Sequence, residues 1–160
     1  MKKYLFIAAL CLTGCGSVFS IPESFPDQCR WVDLVRVVDG DTIIVNESER
    51  VRFIGIDSPE MKHPKKPVQP YSLESARELK RLLRNQSQVC LLSDPAGDEK
   101  DIYERTLAYI FRKDGLDVNA EMLKRGAARA YLWFEFSRKE EFKNLADQAR
   151  SEDQGLWSQP

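Results

Sequence analysis

The chain of 160 residues holds a single histidine, His63, and its four cysteines form no Cys-x-x-Cys pair. A zinc centre of nitrogen and sulfur ligands and a histidine-based nucleophilic triad therefore lack the parts they need. No apolar run is long enough to cross a bilayer. The stretch YLFIAALCL falls well short of the roughly 20 residues a spanning helix requires. Internal repeats and low-complexity tracts are absent. So is a basic excess, because 24 Lys and Arg stand against 25 Asp and Glu for a net charge of -1. That balance counts against a polyanion binder held by bulk charge, so such a contact needs a local basic patch or a bound cation. What is present, 42% hydrophobic and 31% charged residues, is the composition of one ordinary globular domain.

The first residues stand apart from that domain. MKK followed by YLFIAALCL is the positive n-region and apolar h-region of an export signal. Its end, Leu12-Thr13-Gly14-Cys15, resembles the lipobox of bacterial lipoproteins, which implies cleavage before Cys15 and a lipid on Cys15 that anchors the chain to a membrane of the bacterial envelope. A cut after Val18-Phe19-Ser20 would instead release a secreted or periplasmic protein. The expected division is a signal peptide at 1–14, a spacer at 15–30 and a folded domain at 31–158. Losing Lys2 and Lys3 with the leader leaves 22 basic against 25 acidic residues, a net charge of -3. Cys29 and Cys90 remain in the mature domain, and two cysteines in an oxidising compartment suggest one disulfide.

Three β-type stretches, at 31–38, 42–46 and 51–56, are separated by turn residues and read as a meander. An amphipathic helix is expected at 72–83, with Leu73, Ala76, Leu79, Leu82 and Leu83 at helical spacing and Ser72 as its cap. Two further strands, 88–92 and 106–111, flank the polar loop SDPAGDEKDIYER, and helices at 119–125 and 138–152 close the chain. Five short strands with one helix after the third predict an α+β domain: a five-stranded Greek-key barrel of the OB type with three helices.

Acidic turns punctuate this frame. Asp39-Gly40-Asp41-Thr42, taken alone, is a tight turn in which Asp supplies local hydrogen bonds. Calcium, however, takes hard oxygen ligands from carboxylates, carbonyls and water, and Asp41 has that chemistry. Asp57-Ser58-Pro59-Glu60 adds two carboxylates where Pro59 ends a strand. In a regular strand Arg52 and Asp57 point to opposite faces, so sharing a site requires a break between them, and Gly55 is the expected place. The loop before the fifth strand brings Asp101, Tyr103 and Arg105. Two guanidiniums and a divalent cation around one pocket supply what a phosphodiester under attack needs, which is fixed positive charge for its oxygens. A nearby carboxylate can orient or deprotonate water.

The motifs VVDGDT, VRFIGIDSPE, KHPKK, DIYERTLAYIF and the closing GLW, in order over residues 33–157, resemble staphylococcal nuclease, or thermonuclease, a calcium-dependent phosphodiesterase of DNA and RNA on an OB barrel. The resemblance implies calcium held by Asp41, Asp57 and the Ser58 carbonyl, with Asp39 behind them. Glu60 falls on the family's proposed general base, and Arg52 and Arg105 on the two phosphate-binding arginines. Tyr103 falls on a phosphate-contacting tyrosine. Lys65 and Lys66, in the basic loop with His63, would follow the nucleic-acid backbone. The implied reaction leaves 3′-phosphorylated products with little sequence preference.

The barrel also gives the cysteines a place, because an OB barrel pairs its first and fourth strands, and Cys29 precedes the first while Cys90 lies in the fourth. Glu104 departs from the family, which has Gly there; if that position takes a positive φ, Glu is strained and Arg105 is misplaced. Tyr71, Tyr131 and Trp133 are aromatic candidates for base stacking or core. The rival readings are a barrel that binds nucleic acid without cutting it, and a structural envelope lipoprotein.

Overall fold

The computed structural model describes residues 29–61 and 68–158. The leader, Cys15, His63, Lys65 and Lys66 lie outside those residues. In the described chain, strand β3 (Glu49–Phe53) shows how the barrel is specified. Val51 and Phe53 are buried and Arg50 and Arg52 alternate to the outside, the period-two pattern of a half-covered strand. β1 (Arg30–Val37), β2 (Thr42–Val45) and β3 form the expected meander. β6 (Thr106–Phe111) pairs parallel to β3, and β5 (Gln88–Leu92) pairs with β6 and returns to β1, closing a five-stranded barrel in the order β1-β2-β3-β6-β5. Helix α1 (Ser72–Leu82) fills the connection into β5, and α2 (Val118–Lys124) and α3 (Lys139–Ser151) pack together at the end. The core joins Ile43, Val45, Val51, Phe53, Val89 and Ile110 to Met122, Leu123 and Phe142 of the helices.

The expected strand at 51–56 divides in two. Gly55 has φ +73°, and a Cβ there would meet Phe142 and Phe136 at 2.7 and 2.8 Å, so both backbone and space require glycine. Beyond this turn the chain forms β4 (Ile56–Asp57), which pairs antiparallel with β7 (Arg129–Ala130). Two-residue strands carry no periodicity, which is why β7 escapes a sequence reading. Ser72 is not a cap: Tyr71, at φ 68°, occupies that position without a side-chain hydrogen bond, and Ser72 is a buried first helical residue. Asp117 does cap α2, accepting from the Ala120 N–H at 3.0 Å.

Three long-range ties brace the fold, and two of them hold helices to the barrel. The fully buried Asn119 donates to the Ile54 carbonyl at 2.9 Å and accepts from the Ile110 N–H at 3.0 Å, fixing α2 beside the Gly55 turn. Asp94, just past β5, accepts from the Ser137 N–H and Oγ, both at 2.7 Å, and from the Tyr109 hydroxyl, which binds the start of α3 to two strands. A disulfide joins Cys29 to Cys90 in β5 with Cα atoms 5.6 Å apart, closing a separation of 61 residues.

Two outcomes are expected. Reducing the Cys29–Cys90 bond lowers unfolding free energy by about 2–4 kcal/mol, because the unfolded chain regains loop entropy; denaturant melts with and without reductant measure it, and unchanged midpoints would refute it. Burial alone would raise the Asp94 carboxyl, but the Tyr109 and Ser137 hydrogen bonds outweigh it and hold the group below the usual carboxylate range. A depressed folded pKa contributes stability above the unfolded value of about 3.9 and loses it as pH falls through the folded one. Asp94→Asn should therefore cost about 2 kcal/mol at neutral pH, with the gap to wild type closing below about pH 3 in pH-dependent melts.

Candidate active site

Two turns and a strand end converge on Arg52. The first is Asp39-Gly40-Asp41, where the Asp41 N–H donates to Asp39 Oδ1 at 3.1 Å. A Cβ on Gly40 would sit 1.9 Å from Ser75 Oγ and 2.7 Å from Ser58 Cβ. Only glycine lets this turn lie against α1 and the 57–60 segment. Asp41 is buried at 5% exposure, and its carboxylate accepts from the Ser58 N–H at 2.6 Å and the Thr42 hydroxyl at 3.0 Å.

The Gly55 turn supplies the second arm. Because the chain reverses there, Asp57 comes back to Arg52, whose Nη2 is 2.9 Å from Asp57 Oδ1 while its Nε is 3.3 Å from Asp41 Oδ1. Arg52 Nη1 also donates to the carbonyls of Phe53 at 3.1 Å and Ile56 at 2.7 Å. One guanidinium thus holds both sides of the turn and two carboxylates. Asp39, Asp41, Arg52, Asp57 and Ser58, five residues expected to share a site, do meet.

Negative charge exceeds positive at this point. Burial, then the Asp41 charge, push the Asp39 carboxyl up to about 7. Burial likewise raises Asp57, opposed by Arg52 and Arg129 and reinforced by Asp41. Three carboxyl groups, Asp39 among them raised to about 7, meet the Arg52 guanidinium and the exposed Arg129 opposite Asp57, and a cation here would favour their ionised forms. Among the described residues no group of three His, Cys, Asp or Glu is arranged for a metal, so protein carboxylates alone do not build a cage. The Ser58 carbonyl belongs to a residue only 4% exposed and accepts no hydrogen bond among the described residues, while the Asp57 side chain is 47% exposed. Two carboxylates and a carbonyl without a partner among the described residues, the rest left to water, fit a partly hydrated hard cation.

Glu60 stands at the rim. Its backbone is clamped by Gln69 in both directions, N–H to Gln69 Oε1 and carbonyl from Gln69 N–H, each at 3.1 Å. Its carboxylate is exposed and makes no hydrogen bond among the described residues. Arg105 forms a separate cluster: Asp101 accepts from its Nε at 2.7 Å and from its N–H at 3.0 Å, and the guanidinium lies 5.5 Å from the Tyr103 ring centre. Burial would raise Asp101, but these Arg105 hydrogen bonds outweigh it and lower the carboxyl. Tyr103 is 72% exposed. Glu104 has φ 61°, the left-handed backbone that a glycine takes without strain. The register Arg52↔Leu107 sets Arg105 on the Arg52 side of the sheet, though nothing among the described residues joins the two side chains.

Two residues that touch this centre were not marked by the sequence. Gln69 fixes Glu60, and Arg129 faces Asp57 across β4 and β7. Neither lies in a motif, and only tertiary pairing brings them in.

The chain is similar to known proteins along most of its length. Residues 50–159 match the family model described as staphylococcal nuclease homologue. A thermonuclease of Staphylococcus intermedius is 41% identical over 122 residues, covering 74% of this chain and 68% of that protein. For a thermonuclease of Staphylococcus hyicus the identity is 39% over 129 residues, covering 78% and 74%. The SPbeta prophage-derived endonuclease YokF of Bacillus subtilis is 39% identical over 132 residues, which span 79% of this chain but 44% of that protein. With a family match over most of its length and the five-stranded barrel and three helices that go with it, the chain belongs to the staphylococcal nuclease family.

Proposed function

We propose that the protein is a calcium-dependent nuclease that hydrolyses phosphodiester bonds of DNA and RNA with little sequence preference and leaves 3′-phosphorylated products. The observation that carries this reading is the convergence of Asp41 and Asp57 on Arg52, with the Ser58 N–H held on the Asp41 carboxylate. Asp41, Asp57 and Ser58 would hold calcium, with Asp39 supporting Asp41 from behind. When bound, the cation supplies positive charge to a phosphate oxygen and to the water that attacks phosphorus.

The chain's own groups do the rest. Arg52, its guanidinium kept in place by two carbonyls, presents fixed charge to the phosphate, and this charge matters most as the phosphorus becomes five-coordinate. Arg105 adds a second guanidinium from the neighbouring strand, once phosphate competes with Asp101 for it. Glu60, exposed at the rim, orients the attacking water and takes its proton. Tyr103 donates to a phosphate oxygen, and Lys65 and Lys66 follow the backbone beyond it. The leader directs the domain out of the cytoplasm, with Cys15 as a lipid anchor on the envelope. Removal of the signal peptide at 1–14 leaves the spacer at 15–30 and the domain at 31–158.

The purified mature domain should cut single-stranded DNA, double-stranded DNA and RNA in calcium, and not in chelator. Glu60→Gln should lower kcat by 10²-fold or more. Calcium-independent cleavage, or an unaffected Glu60→Gln protein, would contradict the assignment.

One observation favours a weaker enzyme, or a barrel that binds nucleic acid without cutting it: Glu104 at φ 61° lies next to Arg105. Glu104→Gly should stabilise the fold by about 1 kcal/mol through relief of strain, and should raise activity by removing an acid beside the phosphate. Equal melting temperature and equal rate would remove Glu104 from the account.

A further inference from the structure

We infer that the outer face of β1 to β3 is a track for a polynucleotide backbone, with Arg36 and Arg50 holding phosphates next to the one that Arg52 and Arg105 face. The inference rests on the hydrolase reading and adds two residues to it.

Alternation along β3 puts Arg50 on the same outer face as Arg52, since Val51 and Phe53 between and beyond them are in the core. Two residues of strand separate the arginines by about 6.6 Å. The antiparallel registers Arg36↔Ile44 and Ile44↔Arg50 then carry the row across the sheet. Ile44 points away from the core cluster that holds its fully buried neighbours Ile43 and Val45, and at 8% exposure it is itself covered on that face. Arg36 and Arg50 therefore flank Ile44 on one surface, about 10 Å apart at their Cα atoms. On the other side the parallel register Val51↔Thr106 places residue 105 level with Arg50, extending the row to Arg105.

Most described arginines are engaged by carboxylates, as Arg30 is by Glu49, Arg52 by Asp57 and Arg105 by Asp101. Arg36 and Arg50 are exposed, and their guanidiniums have neither an ion pair nor a hydrogen bond among the described residues. Nearby acids are otherwise occupied: Glu49 by Arg30 and Thr106, Asp33 by Gln88, and Glu104 by Lys100. In a chain of net charge -1, a local row of unneutralised guanidiniums is what can hold a polyanion. Such contacts read phosphate and not base, so they position a strand without choosing its sequence.

The test compares wild type, the Arg36→Ala/Arg50→Ala protein and the Arg36→Lys/Arg50→Lys protein. Each is given a long single-stranded oligonucleotide and a chromogenic substrate with a single phosphodiester linkage. For the alanine protein, KM on the oligonucleotide should rise roughly three- to tenfold with kcat unchanged, and its slope of log affinity against log salt should flatten by about 1.4, for two lost single-strand contacts. The single-linkage substrate and the melting temperature should not change. The lysine protein should stay near wild type, because an ammonium still neutralises phosphate. Unchanged KM and salt slope in the alanine protein, or a lysine protein as impaired as the alanine one, would overturn the track. If wild type hydrolyses neither substrate, the hydrolase reading fails separately; fluorescence-anisotropy binding of the oligonucleotide by the same three proteins then decides the track.

Discussion

The Arg52 guanidinium ties the Gly55 turn to the acidic turn before β2, and the candidate site is built around it. It donates to carbonyls on both sides of the Gly55 turn and pairs with Asp57 and Asp41. Without it the turn would lose the ties between its two ends, and Asp41 would be a buried charge with no counterion, a loss of the order of 3–5 kcal/mol. The same group is the fixed positive charge of the proposed site. In the proposed function stability and chemistry would share one side chain, so a catalytic defect at position 52 would come with a folding defect.

Around that peg the site gathers acid. Asp39 and Asp57 both have raised carboxyls, and Asp41 contributes to each shift. A fold does not normally concentrate three carboxyl groups where burial penalises their charge, unless something outside the chain offsets it. A hard cation does so without any histidine or cysteine, which suits a chain that has one histidine and keeps its two described cysteines in a disulfide. The barrel makes this arrangement rigid: Asn119 locks α2 to Ile54 at the edge of the turn, and Gly40 lets the first acidic turn rest on Ser58 and Ser75.

Much of this was legible in the sequence, for a physical reason. The opposed directions of Arg52 and Asp57 in a regular strand demand a break, and Gly55 lies between them, so local rules and the site agree on one residue. Period-two patterning gave the barrel strands, and the paired acids with Ser58 gave the centre. What escaped is non-local. Strand β7 has two residues and pairs with β4 across some seventy residues of chain; Arg129 reaches Asp57 only through that pairing. Tyr71 replaced Ser72 at the head of α1 because the incoming chain turns there in a left-handed conformation. Asp94 reads as a loop acid until Tyr109 and Ser137 close on it. The alternation of Arg50 with Arg52 was visible in ERVRF, but its meaning needed the register that brings Arg36 alongside.

The carboxylates gathered around Arg52 form the proposed cation site. Calorimetric titration of calcium into the mature domain, repeated with Asp41→Asn, tests it most directly. One saturable site is expected in the wild type, weakened at least tenfold by Asp41→Asn, with the wild-type melting temperature rising as calcium is added, since a ligand of the native state stabilises it by mass action. No binding heat and no calcium-dependent melting shift in the wild type would contradict it.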